Sequence, residues 1–504
     1  MKTKLLFSFI VFSLLANAQY KFHVSGYNQQ AQDIMELPGG NYLFVAYSPD
    51  GSGGWRTYAD KLAPDGSLIW QKSYHGVSGS TDMVRSCCRL PNGTYALTGY
   101  GTSYAFILNT DSIGNMLYSY NYGTFVSAFG NKGYSIIGTS NNKIIMAGQN
   151  NFKGHLLKTD FSGNVIWGKV YNSTPAFNAV QETPDLGYIA TGNGNGTGVL
   201  LMKTDSSGTV QWCKTYMGST ACEEVKDIKQ TADAGFILVG NTCNFQTGSN
   251  QRVLIIKTDS VGNVQWFNVY GLGTFYDYGY SIETASNGGY IIGGYTKASS
   301  SAYTEGLVFG IDSIGNLLWG NQYSPNSLYG YAFATGIKTS DQGYAFFGGG
   351  GGGSNLYGMK MDANYSTGCF ESAATINVTS GSLTTAILTP TVTIDNSKLN
   401  ANINYASSGN SYGLLCTNTG YSDNSLLEKD ISIFPNLTSG AFIIESKEKN
   451  YEIEIANVLG EKIHSAKINS NKIEIDLSKQ PNGIYFLRFD TQRGTAMKKI
   501  MISK

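Results

Sequence analysis

The chain repeats one local pattern six times, and this repeat constrains the fold more than any other feature. An apolar run, often followed by Lys-Thr-Asp, leads to a turn glycine, then to an aromatic residue four positions on and a tyrosine four further. The turn glycines are Gly66, Gly114, Gly163, Gly208, Gly262 and Gly315. The aromatics are Trp70, Tyr118, Trp167, Trp212, Trp266 and Trp319, followed by Tyr74, Tyr122, Tyr171, Tyr216, Tyr270 and Tyr323. A period of about 50 residues built of short strands is typical of β-propeller blades.

The sixth repeat predicts the content of one blade. Strand-like segments span 280–284, 290–295 and 307–311, and a fourth begins at Leu317. Glycine and asparagine between these segments allow the positive φ of tight hairpin turns. Each repeat therefore predicts four strands, which make one blade.

The blade count depends on the two ends of the repeat region. A seventh repeat has a first hairpin at 335–347 and a segment at 357–362, but it lacks a final tryptophan strand. The segment 20–24 is an unpaired strand candidate near the N-terminus. Pairing the two ends removes exposed sheet edges, so we expect this strand to complete a seventh blade. The six-glycine run 348–353 is predicted to be a loop between strands, because it lacks the Lys-Ser/Thr of a phosphate loop.

The repeated side chains have a packing role in this interpretation. A catalytic residue is needed once, whereas a packing residue is needed in every blade. The turn aspartates could be calcium ligands, but we expect their carboxylates to accept hydrogen bonds from backbone N–H groups of their own turns. These aspartates are Asp111, Asp160, Asp205, Asp259 and Asp312.

The N-terminus carries the pattern of a signal peptide. Lys2 and Lys4 precede an apolar run that ends in Ala16-Asn17-Ala18. This run is too short to span a bilayer, and Ala-x-Ala is a cleavage site, so we predict cleavage between Ala18 and Gln19. The 35 basic and 35 acidic residues balance, which gives no basic field that would indicate nucleic-acid binding.

Seven cysteines in an exported chain permit disulfides and leave at least one thiol over. Cys222 with Cys243 and Cys369 with Cys416 are candidate pairs, which the sequence alone does not decide.

The last part of the chain has a different pattern. Residues 371–425 are rich in Ser, Thr and Asn and predict a linker or a small β segment. After them, period-two alternation divided by Gly and Pro turns predicts a small antiparallel sandwich. We therefore predict an all-β fold, a seven-bladed β-propeller of four-stranded blades followed by a small C-terminal β-sandwich. The predicted boundaries are 1–18 for the signal peptide, 19–370 for the propeller, 371–425 for the linker or β segment, and 426–504 for the C-terminal domain.

The C-terminal residues resemble the type A sorting domain of the type IX secretion system of Bacteroidetes. The motif residues are Phe434, Pro435, Asn436, Gly440, Gly460, Pro481, Gly483, Tyr485, Lys498 and Lys499. Leu437 departs from the pattern, since the family usually has a second proline there. The resemblance implies handling by the type IX secretion machinery, a secreted or outer-surface location, and removal of the domain after export.

The repeat also resembles quinoprotein-like and kelch-like propellers. Asp205, Gly208 and Trp212 are similar to the tryptophan-docking motif of the quinoprotein-like family, with one residue fewer between Asp and Gly. Dehydrogenases of that family carry two adjacent cysteines over a quinone, which Cys87-Cys88 would match. These two lie in a predicted blade strand where neighbours point to opposite faces, and no calcium ligands can be placed beside them. We therefore predict no cofactor.

No recognisable catalytic or metal-binding constellation is present in the sequence. The four histidines do not form an H-E-x-x-H or similar spacing. Residues 409–413 match G-x-S-x-G formally, but they lie in the Ser/Asn-rich segment rather than at a strand-to-helix turn. Glu223, Glu224 and Asp277 are the loop acids to consider for glycoside hydrolysis, which needs a pair of carboxylates. We predict no catalytic, cofactor-binding or metal-binding residues.

Two functions remain open from the sequence. The first is a non-catalytic secreted or cell-surface binding or adhesion protein that holds a glycan or protein ligand. The second is a secreted enzyme that acts on polysaccharide at the propeller channel. Tyrosine and asparagine in the segments 276–280 and 241–245 favour binding, because they offer flat faces and adaptable hydrogen bonds.

Overall fold

The structure is a computed structural model. It describes residues 22–27, 29–75, 81–123, 130–194, 198–218, 222–243, 250–273, 275–299, 302–324, 330, 332–349, 355–368, 370–380, 383–400, 404–407, 413–417, 431–435, 437–447, 449–457, 461–491 and 494–503. All regular secondary structure in these residues is β-strand. The chain divides into two compact units, Met1–Thr417 and Asn418–Lys504.

The first unit contains seven antiparallel sheets among its described residues, and each sheet has four main strands. The first sheet contains β2 (Gln30–Leu37), β3 (Asn41–Pro49), β4 (Trp55–Leu62) and β5 (Leu68–His75). The second contains β6 (Met83–Arg89), β7 (Tyr95–Tyr100), β8 (Ala105–Thr110) and β9 (Met116–Tyr122). The third contains β10 (Asn131–Gly138), β11 (Ile144–Asn150), β12 (Lys153–Thr159) and β13 (Val165–Tyr171).

The fourth sheet contains β14 (Phe177–Glu182), β15 (Tyr188–Gly194), β16 (Gly198–Thr204) and β17 (Val210–Met217). The fifth contains β18 (Glu224–Gln230), β19 (Phe236–Thr242), β20 (Arg252–Thr258) and β21 (Val264–Gly271). The sixth contains β22 (Tyr276–Thr284), β23 (Tyr290–Lys297), β24 (Thr304–Ile311) and β25 (Leu317–Tyr323), in agreement with the strands predicted for this repeat. The seventh contains β26 (Ala332–Lys338), β27 (Tyr344–Gly349), β28 (Asn355–Met361) and β1 (Phe22–Tyr27).

The N-terminal strand completes the seventh sheet, as predicted. β1 pairs antiparallel with β28, with Val24 opposite Gly358. The start of the predicted strand lies outside the described residues. Gly348 and Gly349 of the glycine run belong to β27, and the remaining glycines of the run also lie outside the described residues.

The sheets pack face to face in chain order. β19 and β20 are buried along their whole length, because their two faces are covered by neighbouring sheets. One hydrophobic cluster, for example, joins Leu201 and Tyr216 of the fourth sheet to Phe236 and Leu254 of the fifth. First strands contact one another in the order β2, β6, β10, β14, β18, β22 and β26, and β26 contacts β2.

Five of the six repeated tyrosines join one sheet to the next. Their hydroxyl groups donate hydrogen bonds to the carbonyl oxygens of the following turn glycines. The bonds run from Tyr74 to Gly114 (2.7 Å), Tyr122 to Gly163 (2.8 Å), Tyr171 to Gly208 (2.7 Å), Tyr216 to Gly262 (2.6 Å) and Tyr270 to Gly315 (2.6 Å). All five tyrosines are fully buried. The tyrosine column of the repeat therefore holds the sheets together.

The repeated tryptophans are half-buried and contact the same turns. A Cβ atom built at Gly262 would lie 2.8 Å from the Trp212 ring, and the φ of Gly262 is +78°, so both space and backbone require glycine there. The seventh turn has the same backbone without glycine. Tyr365, with φ of +65°, takes the glycine position, and its ring stacks on Trp319 with centroids 4.9 Å apart.

The turn aspartates accept backbone N–H groups of their own turns, as expected. In the fifth sheet, Oδ1 of Asp259 accepts from the N–H groups of Val261 at 3.0 Å and Asn263 at 2.7 Å. The other four make equivalent bonds: Asp111, Asp160, Asp205 and Asp312. The carboxylates therefore stabilise the turns that end the third strands.

Residues 371–417, which we name the outer segment, add a fifth strand to every sheet. The strands of the outer segment pair with the sheets in the reverse of chain order, from the sixth sheet to the first, and the last strand pairs with the seventh sheet. β29 (Glu371–Ala373) pairs with β25, β30 (Asn377–Thr379) with β21, β31 (Thr384–Ile387) with β17, β32 (Val392–Ile394) with β13, β33 (Lys398–Asn400) with β9, β34 (Asn404–Ser407) with β5, and β35 (Gly413–Thr417) with β1. The outer segment covers the edge strands of the seven sheets, which would otherwise present unpaired backbone groups.

Gly168 of β13, in the third sheet, permits the close approach of the outer segment. The N–H group of Asp395 donates to the carbonyl oxygen of Gly168 at 2.9 Å. A Cβ atom at Gly168 would lie 1.8 Å from the carbonyl oxygen of Asp395. The glycine is therefore required by the outer segment rather than by a turn.

The second unit contains two sheets around one hydrophobic core. One sheet is formed by β36 (Ile431–Phe434), β38 (Ala441–Ser446) and β41 (Lys472–Asp476). The other is formed by β37 (Leu437–Thr438), β43 (Gly494–Ile502), β42 (Gly483–Thr491), β39 (Tyr451–Asn457) and β40 (Lys462–Ile468). Phe442 of the first sheet and Ile453, Leu487 and Ile500 of the second are buried in the same cluster.

Most of the sorting-motif residues lie at the ends of these strands. Phe434 ends β36 and Pro435 follows it, Gly440 lies between β37 and β38, Pro481 and Gly483 lie at the start of β42, and Lys498 and Lys499 lie in β43. Tyr485 is buried, and its hydroxyl donates to the carbonyl oxygen of Pro481 at 2.9 Å. Asn436 and Gly460 lie outside the described residues, as do Ala18 and Gln19 of the predicted cleavage site.

Candidate functional site

A β-bulge interrupts the first strand of each of the seven sheets at the same place. One residue of the first strand is skipped in its pairing with the second strand. A bulge leaves the extra residue unpaired and changes the direction of its side chain. The skipped residues, which we name the bulge residues, are Gln32, Arg85, Tyr134, Asn178, Lys226, Tyr280 and Ala334. All seven line one cavity of about 460 Å³, the central cavity.

In four of the seven sheets, the residue that follows the bulge residue forms a hydrogen bond with the neighbouring sheet. Its side-chain oxygen accepts a hydrogen bond from a backbone N–H group of the next first strand. These bonds join Asp33 to Cys87 (2.9 Å), Ser86 to Ile136 (3.3 Å), Ser135 to Val180 (3.4 Å) and Asp227 to Ile282 (3.1 Å). At each of these bulges, the bulge residue lines the central cavity, and the residue after it bonds two neighbouring first strands to each other.

Asp33 joins three sheets. Its carboxylate also accepts from the Ser86 hydroxyl at 2.7 Å and from the Thr335 hydroxyl at 3.2 Å. Burial raises the pKa of Asp33 above its usual value, although these hydrogen bonds oppose the shift. The Asp33 carboxylate is therefore engaged in hydrogen bonds with residues that form the wall of the cavity.

A second cavity of about 400 Å³ opens beside the first. The two cavities share Gln32, Arg85, Tyr280 and Ala334, so they are parts of one site. The second one is also lined by Tyr47 and Tyr295 and by the first residues of β2 and β26. Because it lies where first strands begin, we name it the mouth cavity.

Tyrosines form one wall of the mouth cavity. The rings of Tyr280 and Tyr295 stack with centroids 5.8 Å apart, and Tyr278 stacks on Tyr295 at 4.8 Å. The Lys226 ammonium lies 5.5 Å from the centre of the Tyr280 ring and pairs with Glu224 at 2.7 Å. Aromatic faces of this kind offer a large contact area at low conformational cost.

Arg85 lies between the tyrosines of the first two sheets. Its Cζ atom is 5.6 Å from the centre of the Tyr47 ring and 5.3 Å from that of Tyr100. Its Nη1 donates to Oε1 of Gln32, and its Nη2 donates to the Tyr100 hydroxyl at 2.7 Å. These contacts hold the guanidinium at the junction of the two cavities.

Lys229 and Asp227 also line the central cavity, and Lys229 belongs to a cluster of paired charges. Nζ of Lys229 lies 2.8 Å from Glu283 and 4.0 Å from Asp227. Burial alone would lower the pKa of Lys229, but the two carboxylates outweigh it and hold the pKa above its usual value. Lys229 is therefore a cation neutralised by its own neighbours.

The loop acids selected from the sequence do not line either cavity. Asp277 is fully buried, pairs with Arg252 at 3.3 Å and accepts from the Thr296 hydroxyl at 2.7 Å. Glu223 is buried and accepts from the Gly218 N–H group at 3.0 Å. Glu224 pairs with Lys226. The structure gives all three acids local partners.

The cysteines show one disulfide and no reactive thiol among the described residues. Cys222 and Cys243 are bonded, which confirms the first candidate pair, while the second pair involves Cys369, outside the described residues. Cys87 and Cys88 are separate thiols in β6. Burial raises the pKa of Cys88 to about 12, so it remains protonated at neutral pH. Neither thiol has the electropositive surroundings of a reactive cysteine.

Sequence reasoning missed the bulge residues as a group. It selected the segment 276–280 as a loop, whereas these residues lie in β22 and only Tyr280 lines the cavities. The signal that was available is the variation between repeats. Aligned on their turns, the seven repeats vary at the bulge positions, which change from Gln and Asn to Arg, Lys, Tyr and Ala.

One comparison with known proteins identifies part of the chain. Residues 432–503 match the family described as the secretion system C-terminal sorting domain. The match confirms the resemblance seen in the sequence and marks the chain as a protein secreted or attached to the outer cell surface. No helix among the described residues has the length and apolarity needed to cross a membrane.

Solved structures similar to this chain include proteins of several kinds. PorZ, a surface component of the type-IX secretion system of Porphyromonas gingivalis, is 10% identical with a TM-score of 0.38, over 93% of this chain and 75% of that one. Streptogramin B lyase is 10% identical with a TM-score of 0.44, over 68% and 97%. Drosophila Plexin A is 9% identical with a TM-score of 0.38, over 68% and 87%. No curated protein matches the chain.

Proposed function

We propose that this chain is an exported, non-catalytic binding protein of the cell surface or surroundings, and that its ligand binds the central and mouth cavities. The bulge residues carry the proposal. Positions that hold the sheets together repeat from one sheet to the next, whereas the seven bulge residues are of six different types and line one site. Differing side chains on a rigid repeated scaffold are typical of recognition sites.

The scaffold in this proposal is a seven-bladed β-propeller. The closed order of contacts from β2 through β26 back to β2 supports it, as does the N-terminal strand in the seventh sheet. The propeller would extend from residue 19 to 370, with the outer segment wrapped around its edges. The C-terminal domain, 426–504, would be a β-sandwich, which the core shared by its two sheets supports.

Binding is favoured over turnover by the partners of the cavity acids. The acids that line the central cavity, Asp33, Glu36 and Asp227, all accept hydrogen bonds from neighbouring sheets. General acid–base catalysis of glycoside hydrolysis needs two carboxylates facing the substrate. These carboxylates are instead engaged by the cavity wall, which leaves tyrosines and amides to contact a ligand.

We expect the purified protein to bind some members of a polysaccharide and peptide panel without releasing product. Tyr280→Ala should weaken that binding about tenfold, since it removes one stacking face. Tyr303→Ala is the control, because Tyr303 is 54% exposed and lies outside both cavities. Calorimetry measures binding, and chromatography of the incubated ligand detects product. Product formation that disappears when one cavity carboxylate is changed would favour the enzyme instead.

The proposed export predicts which residues form the two ends of the secreted chain. We expect secreted material to begin at Gln19 and to lack the domain after about residue 425, since the sorting domain implies handling by the type IX secretion machinery. Mass spectrometry of culture supernatant and of surface fractions measures both ends. Extracellular molecules that carry Met1 and Lys504 together would contradict this expectation.

A further inference from the structure

We propose that Arg85 forms an anion subsite of the mouth cavity, and that it binds the carboxylate of an acidic polysaccharide built from uronic acids. The proposal rests on the proposed function, because it names the class of ligand for the same site. Arg85 lines both cavities, and its guanidinium lies 5.3 Å from the centre of the Tyr100 ring. The Lys132 ammonium, outside the residues that line the cavities, lies 4.8 Å from the same ring and adds positive charge nearby.

Neither cation has an acidic partner within ion-pair distance among the described residues. Two other cations that line the central cavity do have one: Lys226 pairs with Glu224 at 2.7 Å and Lys229 with Glu283 at 2.8 Å. Arg89, the remaining cation among the described residues of that lining, is exposed to solvent. A half-buried guanidinium without a counter-charge is costly to keep. The charge of a ligand would offset that cost.

One donor of Arg85 also lacks a partner. Its Nε–H group is buried and makes no hydrogen bond among the described residues, while Nη1 and Nη2 are held by Gln32 and Tyr100. The held amino groups fix the plane of the guanidinium. A planar guanidinium matches the two oxygens of a carboxylate in a way that an ammonium does not.

The surroundings favour a sugar acid over a nucleic acid. Tyr47, Tyr280 and Tyr295 line the mouth cavity with flat faces that a sugar ring can cover, and Gln30 and Gln32 line it with amide groups that suit hydroxyls. Its volume of about 400 Å³ is that of a site for a small ligand. Nucleic acid would need a broad basic field, whereas the formal net charge of the chain is zero.

The test compares polymers that differ only in charge. Polygalacturonate, alginate and hyaluronan are each titrated into the full exported chain beside a carboxyl-reduced preparation of the same polymer. We expect at least one acidic polymer to bind at least about tenfold more tightly than its reduced form, the range of a charge-assisted hydrogen bond. That preference should fall when salt is raised.

Variants of Arg85 test whether this residue causes the preference for the acidic polymer. Arg85→Gln should abolish the preference for the acidic over the reduced polymer, and Arg85→Lys should keep part of that preference. Arg56→Gln is the matched control, since Arg56 lines neither cavity, and melting temperatures confirm that every variant is folded. Equal binding of acidic and reduced polymers by the wild type would overturn the anion subsite and leave the proposed function standing. Failure of all three polymers to bind would overturn the uronic-acid ligand, whereas only failure of the wider polysaccharide and peptide panel would overturn the proposed function.

Discussion

Replacing Tyr216 by alanine is expected to lower the free energy of unfolding of the first unit by about 3–5 kcal/mol, the usual cost of truncating a large buried aromatic. The Tyr216 side chain is fully buried between the fourth and fifth sheets, and its hydroxyl donates to the carbonyl oxygen of Gly262. Truncation would leave a cavity and an unpaired carbonyl group at the same contact. Urea unfolding followed by tryptophan fluorescence measures the loss.

Two further variants separate the contributions at this contact. Tyr216→Phe keeps the ring and removes the hydrogen bond, so it should cost about 1–3 kcal/mol, the penalty for an unsatisfied buried acceptor. Trp212→Ala should cost less than Tyr216→Ala, because Trp212 is only half-buried. If Trp212→Ala proved the more damaging change, the tryptophan rather than the tyrosine would hold the sheets together.

The features that the sequence predicted well are those that repeat. Turn glycines, aromatics and tyrosines such as Gly262, Trp212 and Tyr216 occur in sheet after sheet, because each contact between sheets needs the same packing. The N-terminal strand was predictable for a related reason, since the seventh repeat lacked a strand and the chain had one left over. Repetition turns a packing requirement into a visible pattern.

The features that escaped prediction do not repeat or carry no pattern. The seventh turn was hidden because Tyr365 replaces its glycine. Strands of the outer segment are three to five residues long, too short for an alternating pattern to show. Several of their apolar side chains are exposed, as with Ile387 at 76% and Ile394 at 60%, so burial does not mark them either.

The candidate site escaped for a physical reason. A bulge is a local change of backbone register, and its effect on side-chain direction appears only when the partner strand is known. Arg85 stands in the sequence as an ordinary strand residue, and Tyr280 was selected only as part of the tyrosine-rich segment 276–280. Only the pairing of first and second strands places them, with the other bulge residues, around one cavity.

The last prediction concerns the strand that joins the two ends of the first unit. Val24→Pro is expected to destabilise this unit strongly, because β1 lies between β28 and β35 and is paired on both sides. Proline removes a backbone donor and is found almost only in edge strands or bulges. The lost bond alone should cost about 1–3 kcal/mol, and the misfit of the ring adds to it.

Val24→Thr is the matched control, since threonine is also β-branched and keeps the backbone N–H group. Thermal unfolding and hydrogen exchange of both variants provide the measurements. We expect the proline variant to lose exchange protection first in β28 and β35 and then in the first and sixth sheets, which flank the seventh. If the proline variant unfolded like the threonine variant, β1 would not hold the seventh sheet together, and the proposed seven-bladed ring would lose the strand that completes its last blade.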